Sequence, residues 1–199
     1  PILWAGFKMT AWLTLVVVPL GAAGGLAVAL LHQTRARLLV MAYVDFFRAF
    51  PPLVLLMFIA FGLPFLGLDL GAFGAVALAF LLNTSSYYGE IFRAGIESVP
   101  RGQVEAARST GLGALQSMAY VVIPQAVRNV LPPLGNELVA MIKDSALVSA
   151  LGVQDVTQMG KVYAASTFKF FETYNVVAFL YLSLTISLSL LVRLLERRL

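Results

Sequence analysis

The chain has 199 residues, of which 60% are hydrophobic and 12% charged. That is about half the charged share of an average soluble domain, so a water-soluble globule is excluded and an integral membrane protein is indicated. With no cysteine and one histidine, disulfides and thiol chemistry have no residues to build on, and a metal cluster is not expected.

In chain order, five apolar runs approach the roughly 20 residues that a spanning helix needs. They are Thr10–Leu31, Pro51–Leu68, Ala72–Arg93, Leu131–Gly152 and Tyr174–Leu195, the third and fourth carrying polar residues. The chain starts at Pro1 rather than Met, which reads as a missing or processed N-terminal piece. The first run, with Lys8 ahead of it, is too long for a signal peptide and is followed by four more spans. Its Gly21-x-x-x-Gly25 permits close helix approach.

The stretch from His32 to Phe50 interleaves aromatic and charged residues (Tyr43-Val44-Asp45-Phe46-Phe47-Arg48). This suits an elbow at headgroup level rather than a span. Pro51-Pro52 can start the next helix, and Phe61-Gly62-Leu63-Pro64 marks its unwinding. The polar segment from about 153 to 173 is expected outside the membrane as a short helix and a turn. Residues 1–199 thus form one transmembrane domain of all-α, polytopic class.

Lys and Arg placement sets the orientation. With the loop around Glu105 on the cytoplasmic side, that side holds Arg35, Arg37, Arg48, Arg93, Arg101, Arg108, Arg128, Arg193, Arg197 and Arg198. The other side holds Lys8, Lys161 and Lys169, and Lys143 lies within a span. Ten against three places the N-terminus outside and the C-terminus in the cytoplasm.

Residues 97 to 124 are the least membrane-like. Pro100 suits a first helical turn, Val99 to Arg108 reads as a short helix, and Gly111 can end it in the left-handed conformation. Gly113 keeps the turn loose, and a second helix from Ala114 to Val122 is interrupted by Pro124. Glu105 can pair locally with Arg101 or Arg108. Ala106 and Ala107 are small enough to let the backbone press against another surface.

This segment resembles the EAA motif in membrane subunits of ATP-binding-cassette (ABC) importers. Glu105-Ala106-Ala107 is followed after three residues by Gly111, and after nine more by Val121-Val122-Ile123-Pro124. Other stretches are similar to the polar amino-acid permeases: Tyr43 to Arg48, Phe61 to Pro64, Gly89 to Ile96, Gly135-Asn136-Glu137, Lys143 to Leu147, and Arg193 to Arg198.

The resemblance implies a type I importer fold with five spanning helices. It implies cytoplasmic coupling helices formed by Glu105, Ala106, Ala107, Arg108, Gly111 and Leu112. The implied partners are two ABC ATPase subunits, a second permease, identical or paralogous, an extracytoplasmic solute-binding protein and membrane lipid. The substrate would be an amino acid, polar or cationic, crossing the bacterial inner membrane; nucleic acid has no place. Phe50 and Leu55 replace a usual Thr and Gln, which would make the second helix less polar and favours two unequal permeases.

Chemistry within the chain is not indicated. Gly160-Lys161 lacks the Ser or Thr of a phosphate-binding loop, and Asp155 occupies its first glycine. ATP and Mg therefore belong to the partner ATPase, with no cofactor in this chain. Ser183, Ser187 and Ser189 have no His or Asp near in sequence and suit hydrogen bonds between helices.

Ionisable groups within spans usually face a partner or a water-filled path. Glu137, Met141 and Asp144 recur on one helical face, and Asn83, Ser86 and Glu90 on another with Tyr87 beside them. Glu137, Met141, Asn83, Ser86, Tyr87 and Asp144 are thus the candidate substrate pathway, where Glu137 suits an ammonium group. Lys143 with Asp144, and Glu90 with Arg93, also read as structural ion pairs. A permease for another small solute, or a channel with no ATPase, are the alternatives.

Overall fold

The computed structural model describes residues 2–197; Arg198, counted above on the cytoplasmic side, lies outside them together with Pro1 and Leu199. Nine α-helices follow in order: α1 (Ile2–His32), α2 (Arg37–Ala49), α3 (Pro52–Met57), α4 (Gly71–Glu97), α5 (Arg101–Ser109), α6 (Ala114–Ser117), α7 (Ile123–Asp144), α8 (Val156–Thr167) and α9 (Phe170–Glu196). Among the described residues there is no strand.

Helices α1 and α9 are each long and apolar enough to cross a membrane. The segments Arg37–Ala49 and Pro52–Leu66 reach that standard only as a pair, bent by 101°. Helices α4 and α7, of 27 and 22 residues, have the length but carry polar side chains. They are shielded accordingly: α1, α2, α3 and α7 all pack on α4, and α9 packs on α7.

The α1–α4 pairing is the most extensive. Helix α1 buries a single stripe of Gly6, Thr10, Leu13, Val17, Gly21, Gly25, Ala29 and His32, spaced three or four apart so that they share one face. The glycines on it are sites of close approach. A Cβ on Gly21 would strike Thr84, and one on Gly25 would lie 2.8 Å from the Gly89 backbone nitrogen. The GxxxG pattern thus seats α1 against the most polar part of α4. On the opposite face Trp12, Leu15, Leu20 and Leu26 are exposed, as suits contact with lipid.

The core joins Leu13 and Val17 to Leu55, Leu56, Val76, Phe80, Met141 and Val148. Leu55 is part of it, with Phe50 packed alongside. The apolar pair in the second span therefore packs into this subunit's own interior.

Several expected boundaries move. Helix α1 begins at Ile2 rather than Thr10, because its first turns pack on α8. Helix α3 gives way after Met57 to a π-helical stretch, Phe58–Gly62, and a 3-10 turn, Leu63–Leu66, ended by Gly67 at φ +80°. The widening precedes the Phe61–Pro64 breakpoint. Helix α7 begins at Ile123, eight residues before the expected span, and runs through Pro132-Pro133.

Pro124 does not interrupt it. Residues Met118–Val122 form a π-helical stretch, and the Gln125 side chain donates to the Val121 carbonyl at 2.9 Å.

The expected elbow is a helix docked on its neighbour. Helix α2 packs along α4: the Tyr43 hydroxyl contacts Ser85 Oγ at 2.7 Å, and Asn83 Nδ2 donates to the Phe47 carbonyl at 3.3 Å. The segment after residue 153 is a short helix and a turn, with Phe168 at φ 57°, but it is docked rather than free. Asp155 is fully buried and caps α8, accepting from the Thr157 and Gln158 backbone N–H groups and from the Tyr181 hydroxyl. Thr10 accepts from the Val156 N–H, and Gly160 lets α8 close on Val177 of α9. Gly160 and Asp155 thus serve packing and capping. Ser183 donates to Leu180 of its own helix, not to a neighbour.

Gly25→Val should overpack the α1–α4 seam and cost about 1–3 kcal/mol, lowering the thermal unfolding temperature of the purified protein. Gly102→Ala, where an added Cβ meets nothing within 4 Å, should raise it slightly through helix propensity. Equal behaviour of the two variants would contradict the seam.

Candidate functional site

Helix α5 lies between α4 and the π-helical stretch. Pro100, at ψ 133°, stands just before the helix rather than within its first turn, and its carbonyl accepts from the Gln103 N–H at 2.9 Å. Val104 packs with Val99, Val122 and Ala126, and Ala107 is buried. Arg101, Glu105, Ala106, Arg108 and Gly111 are exposed, and Leu112 is half-buried. The two alanines therefore divide the work: Ala107 holds the helix to its own chain, and Ala106 faces outward.

The C-terminus of α5 is fixed by two backbone hydrogen bonds, Gly111 N–H to the Arg108 carbonyl at 3.0 Å and Leu112 N–H to the Ala107 carbonyl at 3.3 Å. This is the Schellman arrangement, with Gly111 at φ +91° in the left-handed position. Thr110 Oγ1 adds a bond to the Ala107 carbonyl. Gly113 is extended and is not a loose link: its N–H donates to Gln116 Oε1 at 2.9 Å, setting the start of α6.

Glu105 pairs with neither Arg101 nor Arg108. The ion pairs among the described residues are those of Arg93 with Glu90 and Glu97. The outer face of α5 thus presents one free carboxylate and two free guanidinium groups on a rigid, capped helix. Such a face can dock against charges of another protein.

The candidate pathway residues do not form one lining. Ser86 is fully buried and donates to the Asn83 carbonyl, while Asn83 is spent on Phe47. Met141 is 3% exposed within the core. These three fix the wall of the subunit. Tyr87, Glu137 and Asp144 are half-buried, and Glu137 is in no ion pair or hydrogen bond among the described residues.

Lys143 and Asp144 do not pair either, since adjacent helical residues diverge; Lys143 is exposed. Glu90 and Arg93 do form the expected pair.

Arg48 was assigned above to the cytoplasmic surface. Its guanidinium carbon lies 5.1 Å from the centre of the Tyr87 ring. Sequence spacing gave no sign of this, because it depends on α2 packing along α4. Among the described residues no group of three His, Cys, Asp or Glu stands ready for a metal ion.

The sequence profile of the "Binding-protein-dependent transport system inner membrane component" family matches residues 4–199. The glutamine transport system permease protein GlnP of Escherichia coli (strain K12) is 36% identical, covering all of this chain and 93% of that protein. The Bacillus subtilis (strain 168) protein named "Probable glutamine ABC transporter permease protein GlnM" is 42% identical, covering 79% of this chain and 73% of its own length. A crystal structure of an amino acid ABC transporter with histidines superposes with a TM-score of 0.94 at 40% identity, over all of this chain and 94% of that one.

Gly111→Ala should strain the left-handed turn by about 1–2 kcal/mol, and Gly111→Asn by less. Thermal unfolding of the two variants should rank them in that order below the parent; an Ala variant as stable as the parent would contradict the capping geometry.

Proposed function

This chain belongs to the inner-membrane components of binding-protein-dependent transport systems, and we propose that it is the permease subunit of an ABC importer for an amino acid. The observation that carries the coupling role is the outward face of α5: Glu105, Ala106 and Arg108 exposed on a short helix locked at Gly111. In this reading, two permeases enclose a central path, and two ATPase subunits, which hold ATP and Mg, each receive one α5. The N-terminus and α8 lie outside, where a solute-binding protein delivers substrate, and the C-terminus is cytoplasmic.

Closure of the ATPases on ATP displaces α5. Because α5 is clamped to α7 through Val104, Val122 and Ala126, the displacement is passed to the helix that carries Glu137 and Asp144. The path is a two-state element biased by a distant nucleotide site. Opening outward admits the solute from its binding protein, and hydrolysis resets the inward-facing state. Permeation itself makes and breaks no covalent bond in this chain.

Glu137 is the group assigned to the substrate's ammonium, with Asp144 reinforcing the negative field and Tyr87 beside the path. Asn83, Ser86 and Met141 act behind it, holding α4 and α7 in register. The relatives' names favour glutamine or another amino acid over a different solute class.

In proteoliposomes containing the ATPase and binding protein, Glu105→Lys and Gly111→Asp should cut uptake at least about tenfold, with insertion intact and ATP hydrolysis persisting. Loss of a single charge-assisted contact at the Glu105 face, about 1.5 kcal/mol or more, has that size. Wild-type uptake by either variant would remove the docking role. Glu137→Gln should weaken amino-acid binding to the assembled transporter, and unchanged affinity and selectivity would take Glu137 out of the site.

A further inference from the structure

At one end of the bundle the first turns of α1 and α9 stand beside α8 and bound a groove of about 570 Å³. Ile2, Leu3, Tyr163 and Val176 form its apolar walls, and Lys169 and Glu172 line it too. Gly160 permits the close approach of the three helices there. A Cβ on it would lie 2.6 Å from Val177 Cγ2 of α9 and 3.9 Å from Leu3 Cδ2 of α1.

Both helices that flank the groove are long and apolar enough to cross a membrane, and the groove lies at their N-terminal ends. The surface around it is aromatic: Trp4, Tyr163, Phe168, Phe171 and Tyr174 are exposed. Trp and Tyr concentrate where a span meets the headgroups. A groove with that rim, between the ends of two spans, stands where headgroups join acyl chains.

Its two charges are unspent. The ion pairs among the described residues are those of Arg93, so Lys169 and Glu172 pair neither with each other nor with another side chain. The hydrogen bonds of Lys169 are made by its backbone alone. It precedes α9 at φ −94° and ψ 65°, and does not close the one-turn pair with Glu172 that helical spacing permits. Thr173 also lines the groove. It is 3% exposed, and its hydroxyl has no partner among the described residues, which costs stability until one reaches it.

Apolar walls with a cation and an anion at their edge are the complement of a zwitterionic phospholipid. We propose that the groove binds a phospholipid of the phosphatidylethanolamine class. Its acyl chain lies along Ile2, Leu3 and Val176, its phosphate meets Lys169, and its primary ammonium, joined to the phosphate by a short ethylene bridge, meets Glu172. A phosphatidylglycerol headgroup brings no cation to Glu172, and the quaternary nitrogen of phosphatidylcholine brings no N–H. The bound lipid braces α8 between α1 and α9. The site needs only that α1 and α9 cross a membrane, whatever solute the protein carries.

The test is native mass spectrometry of the complete transporter, stripped of lipid by detergent exchange. It is then given equimolar phosphatidylethanolamine, phosphatidylcholine and phosphatidylglycerol with the same acyl chains. The parent should retain phosphatidylethanolamine about threefold to tenfold over each of the others, between the worth of an exposed ion pair and that of a charge-assisted hydrogen bond. Glu172→Gln should bring phosphatidylethanolamine down to the level of phosphatidylcholine and leave the latter unchanged. Lys169→Gln should weaken all three lipids by removing the phosphate contact, and Lys169→Arg should retain them.

Equal retention of the three lipids by the parent would overturn the proposal without any variant having to fold. So would a preference for phosphatidylglycerol, which leaves Glu172 no role. A full preference kept by an assembled Glu172→Gln transporter would put the lipid at another surface and remove it from this groove. Retention of none of the three is the result expected if a second copy of the chain or another protein closes the groove, and it too would sink the assignment.

Discussion

Hydrocarbon offers no hydrogen-bonding partner, and the most polar helix of this protein has to pass through it. Helix α4 carries Asn83, Thr84, Ser85, Ser86, Tyr87, Tyr88 and Glu90 in succession. The rest of the bundle is arranged to keep that run from lipid. Glycines let α1 lie against it, α2 spends Tyr43 and the Phe47 carbonyl on it, and α7 covers a further side. Tyr87 stays half-buried on it, with the Arg48 guanidinium carbon 5.1 Å from its ring.

The same economy governs the loop that leaves the membrane. Helix α5 has only nine residues, too short to be stable alone in water. Its order comes from one buried face, Val104 and Ala107, and from the backbone bonds that Gly111 permits. Those contacts tie it to the start of α7, where a π-helical stretch accommodates Pro124 without a break. A push on the exposed face of α5 is thereby delivered to a continuous helix that reaches Glu137. No separate lever is needed.

Legibility in the sequence followed the range of the interactions. Local chemistry was readable: Gly111 ending a helix, Pro52 opening one, the Glu90–Arg93 pair at one-turn spacing, and the apolar length of α1 and α9. Long-range packing was not. The approach of Arg48 to Tyr87 could not be foreseen, because neighbouring residues do not reveal that α2 lies along α4. Met141 shares a helical face with Glu137 and Asp144, yet it points into the core, because the face is wide enough to straddle a groove and its wall. Asp155 looked like part of a solvated loop, since the Tyr181 hydroxyl that bonds it in the interior lies 26 residues away. In each case the sequence supplied the group, and tertiary contacts decided its surroundings.

The central claim is that motion of α5 exposes the Glu137 face alternately to the two sides of the membrane. The chain contains no cysteine, so Glu137→Cys provides a single thiol, and a membrane-impermeant thiol reagent can be applied from either side of the reconstituted transporter. The account predicts labelling from the cytoplasmic side without nucleotide. It predicts labelling from the external side when the ATPase subunits are held closed by a non-hydrolysable ATP analogue. Labelling from the same side at the same rate in both conditions would contradict it.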